Sequence, residues 1–265
     1  MKDKEKQLIE LKRKQEELGV ATESLNRLPI FQPTLKAKFE VRSFESKYGR
    51  ITIEGRLGQA HKNVLETILF KRKAFSLKGL ALKILYDEYE VRKYLSQGSE
   101  YNYETYKRLI KDMIKAYIKL ETEKLTIEGT LITRKITSKK YSRQTKSNLP
   151  GLVGREIPYA VVEFGDVAAM LIKEELKFKY DPKPIMALDS GISQAIVRFL
   201  KTHRHHPEAG YHLRELVANL TDNIEGQNWR NIKRFLKKDA ELLQKLGVSI
   251  DFKKERLFMI EGKQN

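Results

Sequence analysis

The sequence contains no cysteine among its 265 residues, only one tryptophan and seven prolines, and no long apolar run. Without cysteine the chain forms no disulfide and no thiolate metal site, which is compatible with a reducing compartment. No apolar stretch approaches the roughly 18 residues that a membrane-spanning helix requires. The first residues are charged from Lys2 onward and lack the hydrophobic segment of a secretory signal. We therefore expect a cytoplasmic protein without a membrane partner.

Negative charge is outweighed by positive charge in this chain. It has 35 Asp and Glu against 52 Lys and Arg, which gives a formal net charge of +17 and an isoelectric point near 9.7. Such an excess favours an anionic partner, and nucleic acid above all, because Lys and Arg that neutralise phosphates release condensed counterions. With 40% hydrophobic and 33% charged residues, we expect a globular, soluble and unusually charged protein, and its length allows two domains of ordinary size.

The C-terminal part of the sequence shows three helical patterns followed by a hairpin pattern. The apolar residues at helical spacing are Ile192, Ile196, Phe199 and Leu200, then Leu213, Leu216, Val217 and Leu220, then Trp229, Ile232, Leu236 and Leu243. Two strand-like runs, 248–252 and 257–260, flank a charged turn. This order is typical of the winged helix, which places its third helix in the DNA major groove and its hairpin along the backbone.

The first half repeats this order without a detectable sequence repeat. We expect a strand at 49–56, a helix at 60–69, a strand at 80–85 and a helix at 88–95 that begins with the capping box of Asp87 and Glu90. A further helix follows Asn102, with Tyr106, Leu109, Ile110, Met113 and Tyr117 as its buried stripe. The runs 125–136 and 157–164 then predict a hairpin. Its long basic tip is interpreted as a wing that is disordered without its partner, with an ordinary solvated loop as the alternative.

The sequence thus predicts the α+β class, with two tandem winged-helix domains and an N-terminal helical arm. Residues 1–38 are assigned to a charged helix and a linker, 39–164 to the first domain and 165–265 to the second. Residues 1–18 predict either a solvated helix or a helix that binds a partner. Residues 26–38 predict an extended linker, and 165–172 a short helix.

The candidate DNA-binding residues are polar or cationic side chains on the third helix and wing of each domain. In the first domain they are Tyr101, Tyr103, Thr105, Lys107, Arg108 and Lys111 on the helix and Arg134, Lys135, Lys139, Lys140 and Arg143 on the wing. In the second they are Asn228, Arg230, Lys233, Arg234 and Lys237 on the helix and Lys253 and Lys254 in the turn. Tyr106 and Trp229 fall on apolar stripes and are expected in the core.

Catalytic patterns are weak, and we expect no enzymatic activity, cofactor or metal. No glycine run continues as the G-x-x-x-x-G-K-[ST] that holds nucleotide phosphates. His203, His205, His206 and His212 suggest a metal site or a nickase, but the His-x-His of such nickases encloses a hydrophobic residue, and here it encloses Arg204. A favourable interaction between histidine and a helix C-terminus is the simpler explanation of the cluster.

Three stretches resemble the plasmid replication initiators that bind origin repeats (iterons) through two tandem winged-helix domains. They are YDEYEVRKYL and YNYETYKRLIKDMIKAYIKLE within 86–121, VVEFGDVAAMLI at 161–172, and ALDSGISQAIVRFLKTHR, YHLRELVANL and NWRNIKRFLKKDAELLQKLGV within 187–248. The resemblance implies binding of double-stranded origin repeats and opening of a neighbouring AT-rich region. It also implies recruitment of the host replicative helicase and initiator proteins, a homodimeric form, and a location on the bacterial nucleoid or plasmid. A winged-helix transcriptional repressor or chromosome-organising protein is the alternative.

Overall fold

A computed structural model describes residues 19–78, 81–96, 101–144, 156–173, 177–203, 205–221 and 224–260. The strands are β1 (Ala21–Thr22), β2 (Glu40–Ser46), β3 (Gly49–Gly55), β4 (Arg72–Lys78), β5 (Ala81–Asp87), β6 (Tyr117–Glu121), β7 (Thr126–Thr130), β8 (Ile132–Gln144), β9 (Glu156–Phe164), β10 (Lys177–Phe178), β11 (Tyr211–His212), β12 (Val248–Asp251) and β13 (Arg256–Met259). The helices are α1 (Glu23–Arg27), α2 (Gln59–Phe70), α3 (Glu88–Leu95), α4 (Tyr103–Lys115), α5 (Asp166–Lys173), α6 (Lys183–Met186), α7 (Gly191–Leu200), α8 (Leu213–Ala218), α9 (Gly226–Lys238) and α10 (Ala240–Lys245).

The N-terminal lobe, β2 through α5 (residues 40–173), contains two four-stranded antiparallel sheets. Their strand orders are β2-β3-β6-β7 and β4-β5-β9-β8. The apolar sides of both sheets and the buried stripes of α2 to α5 form one core cluster. Within it, Ile51, Ile53 and Ile84 are fully buried, as expected for alternate residues of half-buried strands.

The strand predicted over residues 125–136 divides between the two sheets. β7 pairs with β6, whereas β8 pairs with β9, and Leu131 lies between them. The Leu131 amide donates to the Ala116 carbonyl (3.1 Å), and its own carbonyl accepts from Gly165 (3.3 Å). A Cβ at Gly165 would lie 1.9 Å from the Thr130 carbonyl oxygen, so the crossing between sheets requires glycine there. The predicted pairing of the two runs is therefore correct only from residue 132 onward.

Local capping sets where the helices of the N-terminal lobe begin. Asp87 accepts from the Glu90 amide (3.0 Å) at the start of α3, and Asn102 accepts from the Glu104 and Thr105 amides (2.8 and 3.1 Å) at the start of α4. Both starts agree with the sequence prediction. The end of α4 does not, because Tyr117 belongs to β6 and is half-buried rather than part of the helical stripe. Pairing of β6 with β3 overrides the continuing helical pattern.

The C-terminal lobe, α6 through β13 (residues 183–259), has a second core cluster and a small antiparallel sheet of order β11-β13-β12. The predicted third helix is interrupted at Asp239, where α9 ends and α10 begins. The buried Asp239 carboxylate accepts from the Asp189 and Ser190 amides (3.0 and 3.1 Å) before α7. These two hydrogen bonds connect the end of α9 to the beginning of α7. The predicted hairpin is confirmed as β12 and β13.

The two lobes share a subset of elements in the same order. In the first lobe these are α2, β5, α3, α4, β8 and β9, with β4 inserted after α2 and with β6 and β7 inserted after α4; in the second they are α7, β11, α8, α9, β12 and β13, with α10 inserted after α9. In each lobe a strand between the first and second of these helices pairs with the second strand of the hairpin, so that the sheets contain β5-β9-β8 and β11-β13-β12. The predicted duplication of plan stays a prediction.

The segment 26–38, predicted to be an extended linker, is part of the N-terminal core instead. Ile30 and Phe31 are buried there, and Gln32 exchanges hydrogen bonds with the backbone of Lys38 (2.6 and 3.0 Å). Pro29 and Pro33 therefore shape a packed segment rather than a spacer. α5 also buries its apolar residues in the first cluster. The domain boundary at residue 165 stays a prediction.

The N-terminal helix predicted at 1–18 lies outside the described part of the chain. The basic tip between residues 136 and 157, predicted to be disordered without a partner, is ordered in part, because β8 continues to Gln144 and pairs with the start of β9 at Glu156. Residues 145–155 of this tip lie outside the described ranges. Among the described residues, no helix combines the length and the apolar character needed to cross a bilayer.

Candidate nucleic-acid interface

Helix α4 presents a cationic face opposite its buried stripe. Tyr106, Leu109, Ile110 and Met113 are buried, while Lys107, Arg108 and Lys111 are exposed. Thr105 lies half-buried in the first turn, where its amide is capped by Asn102. The exposed face offers charged groups to a phosphate or a base edge without cost to the core.

The tyrosines of this region have different surroundings. Tyr106 is fully buried, and its hydroxyl lies 2.8 Å from that of Tyr86, which confirms its expected place in the core. Tyr101 is half-buried against the first core, so only part of its ring is accessible. Tyr103 is 47% exposed, with the Arg92 guanidinium 5.3 Å from its ring centroid. Tyr103 is the tyrosine best placed to touch a ligand.

Part of the predicted basic wing is paired within the protein. Arg134 donates from Nε to Glu163 (2.7 Å) but remains 57% exposed. Lys135 is largely buried, forms an ion pair with Glu88 and lies 5.4 Å from the Tyr106 ring centroid. Lys139, Lys140 and Arg143 lie on β8. Binding DNA through Lys135 would require breaking an internal ion pair, and Lys135 is less exposed than Arg134.

Helix α9 contains no acidic residue and carries five cations. Arg230, Arg234 and Lys237 are exposed on it, and Asn228 is half-buried in its first turn. Phe235, beside them, is 41% exposed. Lys238, one residue beyond Lys237, pairs with Asp189 (2.8 Å) at the surface, and this pairing raises the pKa of Lys238. The opposite face buries Trp229, Ile232 and Leu236, which confirms the predicted core place of Trp229.

The turn between β12 and β13 is bound to α9 through Glu255. Its carboxylate accepts from Lys233 Nζ (3.0 Å) and Trp229 Nε1 (3.3 Å). These hydrogen bonds hold the pKa of Glu255 below its usual range, and the bond from Lys233 has the larger effect. Lys253 and Lys254 remain exposed, and their amides donate to Asp251 (2.9 and 3.0 Å). The third helix and the turn of the C-terminal lobe therefore form one basic surface of fixed geometry.

Two cations near α4 were not identified from the sequence. Arg92 of α3 covers Tyr103. Arg56 follows β3 and is exposed. The pKa of His61 is lowered mainly by burial, and the nearby charges of Arg56 and Arg108 lower it further. Both arginines lie outside α4, so the helical spacing within α4 could not have joined them to it.

The histidines near the end of α7 have partners within the fold. His203 Nδ1 lies 3.0 Å from the Phe199 carbonyl oxygen, and His206 Nδ1 lies 3.0 Å from the Tyr211 hydroxyl. His212 is exposed at the start of α8. In the described ranges no group of three or more His, Asp or Glu side chains is arranged to hold a metal ion.

Comparison with known proteins supports the fold. No protein-family model matches the sequence, and no curated protein matches it. A crystal structure of domains 2 and 3 of RctB is similar, with a TM-score of 0.52 and 14% identity over 84% of this chain and 85% of that one. A second RctB structure, of residues 155–483, gives a TM-score of 0.47 and 12% identity over 85% and 86% of the two chains. The first comparison shows that the mixed α and β architecture is shared with RctB.

Proposed function

We propose that the chain is a sequence-specific double-stranded DNA-binding protein that initiates replication by binding origin repeats through two winged-helix units. The observation that carries this proposal is the repeated element order, in which a third helix precedes a hairpin in both lobes. Each third helix exposes cations opposite its buried face. In winged-helix proteins these two elements contact the major groove and the flanking backbone.

The cations of α4 and α9 have the arrangement that such a role requires. Arg108, Arg230 and Arg234 are exposed on helices whose other face is held in a core. An arginine on a rigid helix can bond two acceptors of guanine, whereas exposed lysines neutralise phosphates whatever the sequence. The net charge of +17 supplies the long-range attraction to the duplex.

Replication initiation itself is supported by the resemblance of the sequence to iteron-binding initiators. At 14% identity the likeness to RctB supports the architecture only. We further propose that the protein acts in the bacterial cytoplasm, recruits the host helicase and forms a homodimer. We also propose that it neither cuts DNA nor hydrolyses ATP.

Salt dependence of binding tests the proposed interface. A duplex selected from a random-sequence pool by the protein serves as the probe, and fluorescence anisotropy gives its affinity between about 50 and 200 mM salt. Six to ten phosphate contacts predict a slope of log affinity on log salt of about −5 to −9. A slope shallower than about −2 would contradict the proposal that both lobes bind the duplex.

The DNA beside the coding gene separates initiation from repression. Direct repeats of about 20 base pairs next to an AT-rich tract are expected of an initiator, because two units that bind adjacent major-groove faces span about two helical turns. A lone palindrome at the promoter would instead favour a repressor.

A further inference from the structure

The two lobes meet through a buried polar cluster between α2 and α7. Arg198 of α7 is fully buried, and its partner Glu66 of α2 is 2% exposed. A buried guanidinium is costly unless all its donors are paired. The acceptors around Arg198 therefore determine whether its burial is tolerated.

Every nitrogen of the Arg198 guanidinium has an acceptor. Nε donates to both Glu66 oxygens (3.0 Å each), and one terminal nitrogen donates to Gln59 Oε1 (2.8 Å) and Gln194 Oε1 (3.3 Å). The other donates to Asn63 Oδ1 (2.7 Å) and Glu66 Oε2 (2.8 Å). Three of these four partner residues lie on α2. Because the planar fork meets its acceptors in one orientation only, the cluster specifies a single placement of α7 on α2.

Neighbouring contacts hold the same placement. The Tyr180 hydroxyl donates to Glu66 (2.7 Å), and Arg27 donates to the hydroxyl and carbonyl oxygens of Thr202 (2.9 and 2.7 Å). A Cβ at Gly191, the first residue of α7, would lie 2.5 Å from Thr34. Glycine there permits close approach of the two backbones. The interface is therefore fixed by directional bonds and by a close backbone contact.

Other polar contacts join α2 to α4 and the start of α7 to the end of α9. On α2, the Gly58 amide donates to His61 Nδ1 (3.1 Å), so the neutral ring carries its proton on Nε2, which lies 3.4 Å from Asp112 of α4. At the other end, Asp239 joins the end of α9 to the residues before α7. The helices α4, α2, α7 and α9 thus form a continuous series, each packed on the next.

We propose that the Arg198 cluster (Arg198, Glu66, Gln59, Asn63 and Gln194) fixes the position of α9 relative to α4 and thereby determines the spacing between the two DNA half-sites. Arg198 is a positioning residue that acts through α2 and α7 and does not touch DNA. This inference rests on the proposed function. Its distinctive consequence is a spacing preference, since a fixed pair of helices binds two half-sites simultaneously only at one separation and one angle around the duplex.

Spacing variants of the selected duplex test the inference. The probes are the wild-type-selected duplex, the same duplex with five base pairs inserted between its half-sites, and each half-site alone. Five base pairs turn the second half-site by about half a helical turn. For the wild-type protein the insertion should weaken binding about 100-fold or more, since two linked contacts exceed one by at least that factor.

Arg198→Lys keeps the charge but loses the fork, and Arg50→Lys on β3 is the matched control at an exposed site. Arg198→Lys should reduce the insertion penalty to below about 10-fold and leave half-site affinity unchanged. Arg50→Lys should keep the full penalty. A loss of folded protein would lower all affinities together without changing their ratio, so the ratio isolates positioning. Where Arg198→Lys fails to fold by circular dichroism, Asn63→Ala, which removes one acceptor at a half-buried position, serves with the same expectation.

A folded variant that retains the full insertion penalty would overturn the inference while leaving the proposed function in place. If the wild-type protein selects no bipartite site at all, the proposed function fails, and the inference fails with it.

Discussion

Lys62 of α2 should make the stability of the protein depend on pH above neutrality. Its side chain is buried beside Glu66 and Arg198, and its ammonium donates to the Leu25 carbonyl oxygen. Burial lowers the pKa of Lys62 from 10.5 to about 7, Glu66 opposes this shift, and Arg198 adds to it. The unfolded chain exposes the same lysine, so its pKa there returns to about 10.5.

The direction of the effect follows from counting protons. Between about pH 7 and 10.5 the unfolded chain binds more protons than the folded one, and stability therefore rises with pH in this window. The gain in folding stability from Lys62, relative to pH 7, is complete above about pH 10.5 and is lost as the pH falls to about 7. From pH 7 to 9 the two pKa values give a gain of about 2 kcal/mol.

Urea unfolding of the wild type and Lys62→Met at pH 7, 8 and 9 measures this gain. The free energy of unfolding of the wild type should rise over this range by about 2 kcal/mol more than that of Lys62→Met. Loss of the hydrogen bond to Leu25 shifts the free energy of unfolding of the variant by the same amount at every pH. The comparison therefore depends only on how steeply the free energy of unfolding changes with pH. Lys36→Met, at an exposed lysine, should follow the wild type. Parallel curves for wild type and Lys62→Met would refute the reasoning.

The remaining predictions concern DNA. Arg234→Ala should cost about 1 to 3 kcal/mol of binding and relax preference at one position of the repeat, whereas Lys238→Ala should weaken specific and nonspecific binding alike. Competition with singly substituted repeats measures this contrast, and an unchanged ranking of the repeats for Arg230→Ala, Arg234→Ala and Arg108→Ala would assign specificity to the wings or to DNA shape. Supercoiled plasmid incubated with the protein and Mg²⁺ should stay uncut, and ATP should not be hydrolysed. Nicking that disappears on Tyr103→Phe would contradict this.

Features that depend on neighbouring residues were predictable from the sequence. The prediction of α3 at 88–95 matches the structure because its start is specified by the side chain of Asp87 and the amide of Glu90. The hairpin of β12 and β13 was also found, since its alternation and charged turn are local. The buried stripes of α4 and α9 followed from helical spacing, and with them the exposure of Arg108, Arg230 and Arg234.

Features that depend on distant pairing were not predictable. β2, β4 and β6 were missed, since strands of this kind are defined by the partner that accepts their hydrogen bonds as much as by their own residues. The same holds in the candidate site, where Lys135 meets Glu88 and Lys233 meets Glu255 across the fold. By its charge Arg198 would be expected at an exposed position, and its burial is explained by acceptors that lie mostly on α2.

The polar character of the contact between α2 and α7 also affects the tendency of the partly synthesised chain to aggregate. The N-terminal lobe is completed before residues 183–259 are made, and the face of α2 that awaits α7 carries Gln59, Asn63 and Glu66. Water can solvate amides and a carboxylate, whereas an exposed apolar face would promote aggregation of a partly made chain. We therefore expect this face of α2 to resist aggregation on the ribosome until its partner helix is made.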